Sequence, residues 1–225
     1  MYVRNFSSPV RSVGEEKRRV TALTSLAGKN LALARGQHLL FHDLSFEVSA
    51  GEVLSVEGPN GAGKTSLLRL IAGFLEPRSG TLAISSGAGD VISDAEERGR
   101  FVGWFGHQDG IKPQLTPAEN LAFFARYYAH GDMEHALNHM GLRRVRDLAV
   151  QYLSAGQKKR VALARLMLSG RPLWLLDEPL STLDAAGRAL AAELIKQHCS
   201  AGGIVVAATH EPLGVPCRQL QLGSA

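Results

Sequence analysis

The apolar positions of the chain change their rhythm twice. Short β-like runs come first, at 30–34, at 44–48 with Phe46 in alternation, and at 53–57. Arg35-Gly36-Gln37 and Ser49-Ala50-Gly51 read as the turns between them, which predicts an antiparallel opening. From Gly58 the pattern becomes loop, helix over 64–74, turn at Pro77-Arg78-Ser79-Gly80 and strand over 81–84. Residues 85–100 are rich in Gly, Ser and charge and read as a variable loop, and a helical region follows from Thr116 to about 168.

The start of that helical region is well marked. Thr116-Pro117-Ala118-Glu119 combines an N-cap hydroxyl, proline at the first helical position and a glutamate placed to close a capping box. Further on, strand (173–176), helix (184–197) and strand (203–208) alternate, the signature of a parallel sheet with crossover helices. The expectation is an α/β core carrying a small antiparallel β subdomain, with a helical subdomain inserted over about 109–168. Within the insertion, Leu121, Phe124 and Tyr128 form one helical stripe and Phe123 and Tyr127 a second beside it. The second stripe and the segment around Gln108 are expected to line a groove for a helix of a membrane partner.

Composition narrows the class. A hydrophobic share of 45% over 225 residues suffices for one globular domain, placed at 25–225. The net charge of +4 owes most to the start of the chain, where Arg4, Arg11, Lys17, Arg18 and Arg19 outweigh Glu15 and Glu16; residues 1–24 read as a basic, disordered extension. The body is close to neutral and lacks the broad basic face that nucleic acid requires. No apolar run approaches the about 18 residues of a membrane span, and no secretory h-region opens the chain. Cys199 and Cys217 are too few for a disulfide framework, which fits a reducing compartment.

The chemistry sits at the junctions of the pattern. Gly58-Pro59-Asn60-Gly61-Ala62-Gly63-Lys64-Thr65 fits G-x-x-x-x-G-K-[ST] between a predicted strand and a predicted helix, with Ser66 next in line. Its N–H groups would wrap phosphates, Lys64 would reach the β/γ oxygens, and Thr65 would offer a hydroxyl to Mg²⁺. The strand over 173–176 ends in Asp177-Glu178, two carboxylates for two tasks: Asp177 to hold Mg²⁺ through water, Glu178 to orient and deprotonate an attacking water. Leu153-Ser154-Ala155-Gly156-Gln157 puts a hydroxyl and small residues ahead of a helix predicted over 157–169. Alone, it reads equally as an ordinary capped helix or as a second phosphate site. The following Lys158-Lys159-Arg160 reads as a solvated basic face or as a cluster opposed to a polyanion. Gln108 is placed as a γ-phosphate sensor at the edge of the insertion. His210 could donate to the γ-phosphate and hold Glu178 in place, although a strand-end histidine is more often structural.

In their order along the chain these motifs resemble those of the nucleotide-binding subunits of ABC transporters, over about residues 26–212. The resemblance implies a P-loop ABC-type ATPase fold, ATP and Mg²⁺ as ligands, and Gln108 beside Thr65 and Asp177 at the metal. It implies a second copy of the chain, with two ATP molecules sandwiched so that each Lys64 loop faces the other chain's Ser154, Ala155, Gly156 and Gln157, and Asp184 communicating between the sites. A narrower resemblance is to the ATPase subunits of haem exporters in cytochrome c maturation. It is carried by the stretch from Gly106 to Lys112 with Leu115-Thr116 and Glu119-Asn120-Leu121, by the Ala155 form of the signature, and by Thr209-His210-Glu211-Pro212. It implies membrane subunits as partners, a peripheral place on the cytoplasmic face of the bacterial inner membrane, no nucleic acid and no direct haem contact. Where the family often carries an aromatic residue to stack on adenine, this chain has Arg35, so the base is expected against a guanidinium plane or an aliphatic stem. An ABC ATPase of another exporter and a soluble, non-transport ABC ATPase are the competing readings.

Overall fold

The structure, a computed structural model, describes residues 22–36, 38–106 and 110–223. Most of the basic extension, His107, Gln108 and Asp109 lie outside the described residues. The chain opens with the hairpin of β1 (Leu23–Arg35) and β2 (His38–Ser49), both longer than the apolar runs predicted. Leu23 is buried at the start of β1, so residues 23 and 24 belong to the sheet and not to the extension.

Next comes β3 (Val53–Glu57), and here the expectation of a third antiparallel strand fails. Its residues Val53 to Val56 are all buried and it pairs in parallel with later strands. An unbroken apolar run is what a strand covered on both faces requires, whereas a one-faced strand alternates.

After β3 follow α1 (Lys64–Ile71), β4 (Ser79–Ser86), β5 (Val91–Ile92), α2 (Ala95–Gly99) and β6 (Val102–Phe105). The first helix stops three residues short of the predicted end, and the segment read as a loop holds β5 and α2. Asp94 caps α2 by accepting from the Glu97 N–H at 2.8 Å. One sheet has the order β2-β1-β4-β5 and is antiparallel throughout.

The helical region divides into α3 (Pro117–Tyr128), α4 (Met133–His139), 3₁₀ turns at Arg143–Val145 and Val150–Tyr152, and α5 (Ala155–Met167). The predicted capping box opens α3: the Glu119 N–H donates to Thr116 Oγ1 at 3.1 Å and the Thr116 N–H to Glu119 Oε2 at 2.8 Å. Separate caps divide the rest, with Asp132 receiving the Glu134 N–H and Ser154 opening α5. Leu121, Leu137, Met140, Leu142 and Val161 form the inner face and join Phe105 and Leu176 in one core.

The chain closes with β7 (Leu173–Asp177), α6 (Ala185–Ser200), β8 (Ile204–Ala208) and β9 (Arg218–Gln221). The second sheet runs β6-β7-β8-β3-β9 in parallel. Its β3 and β7 therefore end at the same edge, where open α/β sheets bind their ligands.

Candidate nucleotide site

The loop after β3 is shaped by close backbone approach. Gly58 has φ 144°, and a Cβ there would lie 2.3 Å from the Leu222 carbonyl oxygen, so only glycine fits. Gly63 starts α1 without a side-chain cap and no acidic residue occupies its first turn. The first N–H groups of α1 thus face the loop with no carboxylate competing for them, the arrangement that attracts an anion. Lys64 is only 8% exposed. Its Nζ donates to the carbonyls of Gly58 (2.7 Å) and Pro59 (3.1 Å) and lies 2.9 Å from His210 Nε2.

At the end of β7, the Thr65 hydroxyl is 3.0 Å from each carboxylate oxygen of Asp177. This brings together the loop threonine and strand-end aspartate predicted to share a cation. Glu178, one residue on, has its Oε1 3.8 Å from His210 Nε2. That same Nε2 is 3.1 Å from Asn60 Oδ1. His210 is thus gathered onto the phosphate loop more closely than onto Glu178. A cavity of about 310 Å³ joins these groups, lined by Arg35, Leu40, Asn60, Gly61, Gly63, Lys64, Thr65, Ser66, Asp177 and Glu178. Arg35 is there as expected, but half-buried Leu40 lines the cavity with it. In the sequence Leu40 was one of several apolar residues beyond a turn, and only the hairpin brings it to the nucleotide edge.

The signature segment lies elsewhere: Ser154, Ala155, Gly156 and Gln157 are absent from that lining. Ser154 is exposed and caps α5. Its Oγ accepts the Gln157 N–H at 3.2 Å, and its own N–H donates to Gln157 Oε1 at 2.9 Å. This box uses the oxygen of Ser154 as acceptor and leaves its hydroxyl hydrogen for an outside acceptor. A Cβ on Gly156 would come within 3.1 Å of the Thr182 carbonyl oxygen, so the signature packs on the loop leading from Glu178 to Asp184. Asp184 caps α6, accepting the Gly187 N–H at 2.8 Å.

The three cations of the basic run after the signature each reach a carbonyl of their own chain. Lys158 Nζ donates to the Gln151 carbonyl (3.1 Å), Lys159 Nζ to the Glu178 carbonyl (2.5 Å), and Arg160 to the Met140 carbonyl (3.3 Å). Each cation ties α5 to its own chain, a use that neither the solvated nor the polyanion reading anticipated. Gln108, expected at the metal and the γ-phosphate, lies outside the described residues. On α3, Leu121 is fully buried and Phe124 packs on the core, while Phe123 and Tyr127 are 59% and 71% exposed, their rings stacked at 6.2 Å.

A phosphate loop, a Thr65–Asp177 pair and a strand-end glutamate on a parallel sheet, with an antiparallel sheet and helices beside it, define an ABC-type ATPase. The family model described as ABC transporter matches residues 41–181, and the chain belongs to that family. It binds and hydrolyses ATP. Among its relatives is the cytochrome c biogenesis ATP-binding export protein CcmA of Rhodopseudomonas palustris strain BisB5, 43% identical over 202 residues that cover 89% of this chain and 98% of the relative. The proteins of that name from Chelativorans sp. strain BNC1 and Nitrobacter winogradskyi are 45% and 41% identical over 202 residues, covering 88% and 89% of this chain and 98% of each relative. Among solved structures, an ATP-binding subunit of an ABC transporter aligns with a TM-score of 0.70 at 28% identity, covering 83% of this chain and 80% of the other.

Proposed function

We propose that this chain is the ATP-hydrolysing subunit of an exporter serving c-type cytochrome biogenesis, in the haem-handling complex that the sequence resemblance implies. The observation that carries it is the identity of about two residues in five over nearly the full length of relatives named for that export task, joined to the gathering of Lys64, Thr65, Asp177 and Glu178 on one cavity.

In this reading Lys64 leaves the Gly58 and Pro59 carbonyls for the β/γ phosphates, and Glu178 takes a proton from the attacking water. Thr65 and Asp177 would hold Mg²⁺, since a hydroxyl and a carboxylate are the hard oxygen donors that this ion prefers. The ion would neutralise charge on the transferred phosphate. His210 and Gln108 would contact the γ-phosphate. Two copies would close on two nucleotides, the free hydroxyl hydrogen of each Ser154 meeting the partner subunit's ATP. Asp184, at the cap of α6, would relay between the two sites. The exposed Phe123 and Tyr127 pair would seat a cytoplasmic helix of the membrane subunits. No helix among the described residues is long and apolar enough to cross a membrane.

Affinity purification of the tagged full-length chain from detergent-solubilised membranes tests the assignment. The expected result is recovery of membrane subunits together with haem-lyase proteins, and its loss for Tyr127→Ala. Recovery with membrane subunits of an unrelated exporter would overturn the assignment, and recovery undiminished by Tyr127→Ala would overturn the docking face.

A further inference from the structure

Glu178 stands at φ 49°, in the left-handed region. A residue with a Cβ keeps that conformation when its surroundings impose it. Its N–H donates to the Ala208 carbonyl at 2.9 Å. Its carbonyl accepts from Ser181 Oγ at 3.1 Å and from Lys159 Nζ at 2.5 Å, and Lys159 also reaches Ser181 Oγ at 2.5 Å. The bond from an ammonium is the strongest kind of these contacts. The Lys159 ammonium lies 5.5 Å from the centre of the Phe105 ring, so the side chain crosses from α5 to the end of the parallel sheet.

Lys159 shares α5 with Ser154, which opens that helix and is exposed. A short helix moves as one body, so whatever shifts Ser154 also shifts the anchor of the Glu178 backbone. We propose that Lys159 is a positioning residue for hydrolysis: it sets the aim of the Glu178 carboxylate according to where α5 lies. Seating of Ser154 on the partner subunit's nucleotide is thereby felt at the chain's own Glu178. The inference rests on Glu178 as the group that activates water. Lys159 does not line the nucleotide cavity, so its loss affects turnover and leaves ATP affinity alone.

The test compares Lys159→Met and Lys159→Arg in the full chain, in the wild-type and Glu178→Gln backgrounds, measuring steady-state hydrolysis and binding of a fluorescent ATP analogue. Lys159→Met is expected to lower kcat about tenfold with KM within about twofold, and Lys159→Arg, which can donate to the same carbonyl and hydroxyl, to recover most of it. In the Glu178→Gln background Lys159→Met should change the residual turnover by less than about twofold, because a residue acting through a carboxylate is silent once that carboxylate is gone. Unchanged kcat in Lys159→Met, a raised KM with kcat kept, or an equal tenfold loss in both backgrounds would overturn the proposal. Should Lys159→Met not fold, Ser181→Ala removes two bonds of the same anchor, to the Glu178 carbonyl and from Lys159, and leaves the bond from Lys159 to Glu178, so it is held to the same pattern at about threefold. Glu178→Gln alone turning over at the wild-type rate would instead remove the premise, and that result needs no Lys159 variant to be recognised.

Discussion

Lys64 Nζ and His210 Nε2 lie 2.9 Å apart, which joins the phosphate loop to the end of β8 through two side chains 146 residues apart in sequence. When Nε2 accepts from the ammonium, the other ring nitrogen carries the hydrogen; the contact to Asn60 Oδ1 then requires the Asn60 amide to present its NH₂ instead. In either arrangement ATP must draw Lys64 away from His210 and two carbonyls. His210→Ala is therefore expected to bind ATP within about threefold of wild type, because one competitor for the lysine is gone, and to lose about 10²-fold in hydrolysis, the size of one lost donor to developing charge. Equilibrium binding and steady-state hydrolysis on the same preparation check it. A loss of binding that matches the loss of hydrolysis would contradict it.

Glu178 lines the cavity, and its carboxylate lies 3.8 Å from His210 Nε2. Glu178→Gln should keep ATP binding and slow hydrolysis about 10²–10⁴-fold, roughly 3–5 kcal/mol of barrier. Single-turnover hydrolysis is the measurement, and an unchanged rate would refute Glu178 as base.

The capping box at Ser154 predicts a separation of two effects. Ser154→Arg destroys the hydroxyl that faces outward but leaves the Lys64 loop untouched, since Ser154 is absent from the cavity lining. Monomeric chain should bind a fluorescent ATP analogue normally, while hydrolysis in the assembled complex should vanish. The lost cap costs about 1 kcal/mol of stability, so a thermal melt distinguishes a site effect from unfolding.

The phosphate loop and the Thr116 box are local codes, complete within eight or four residues, and each was legible with its geometry. The membership of β3 was not, because pairing direction is decided by β8 and β9, which lie about 150 residues further on. Strand β9, with Arg218, Gln219 and Gln221 at a sheet edge, carries almost no hydrophobic signal to find. The contribution of Lys159 was invisible for a similar reason: a lysine in a basic run shows its charge, but not that Glu178 waits 19 residues later to accept from it.

Arg35 and Leu40 flank the nucleotide cavity at the β1–β2 hairpin, with no aromatic residue among the described residues of the lining. A guanidinium plane and an aliphatic side chain can pack on either purine and offer little to tell adenine from guanine. ATP and GTP should bind with affinities within about tenfold of each other, and Arg35→Ala should weaken both. Competition titrations against a labelled nucleotide measure this; a strong ATP preference surviving Arg35→Ala would show that another group reads the base.

His198 gives the fold a dependence on pH that the catalytic groups do not explain. Its ring stacks on Trp174 at 3.7 Å and 9°, its Nε2 donates to the Pro172 carbonyl at 3.2 Å, and burial pushes its pKa down to about 4 from the ordinary 6.5. The unfolded chain therefore binds a proton more readily than the folded one between those values. The stability tied to the neutral ring is fully present above about pH 6.5 and drains as the pH falls toward 4, by about 2 kcal/mol between pH 7 and pH 5 and about 3 kcal/mol in full. His198→Phe keeps a flat ring against Trp174 and removes the titration. Its urea midpoint should fall less than that of wild type between pH 7 and pH 5, so the two curves converge as the solution is acidified. Parallel curves would mean that other groups carry the acid sensitivity, and a His198 pKa near 6.5 by NMR would show that the ring is not held neutral by burial.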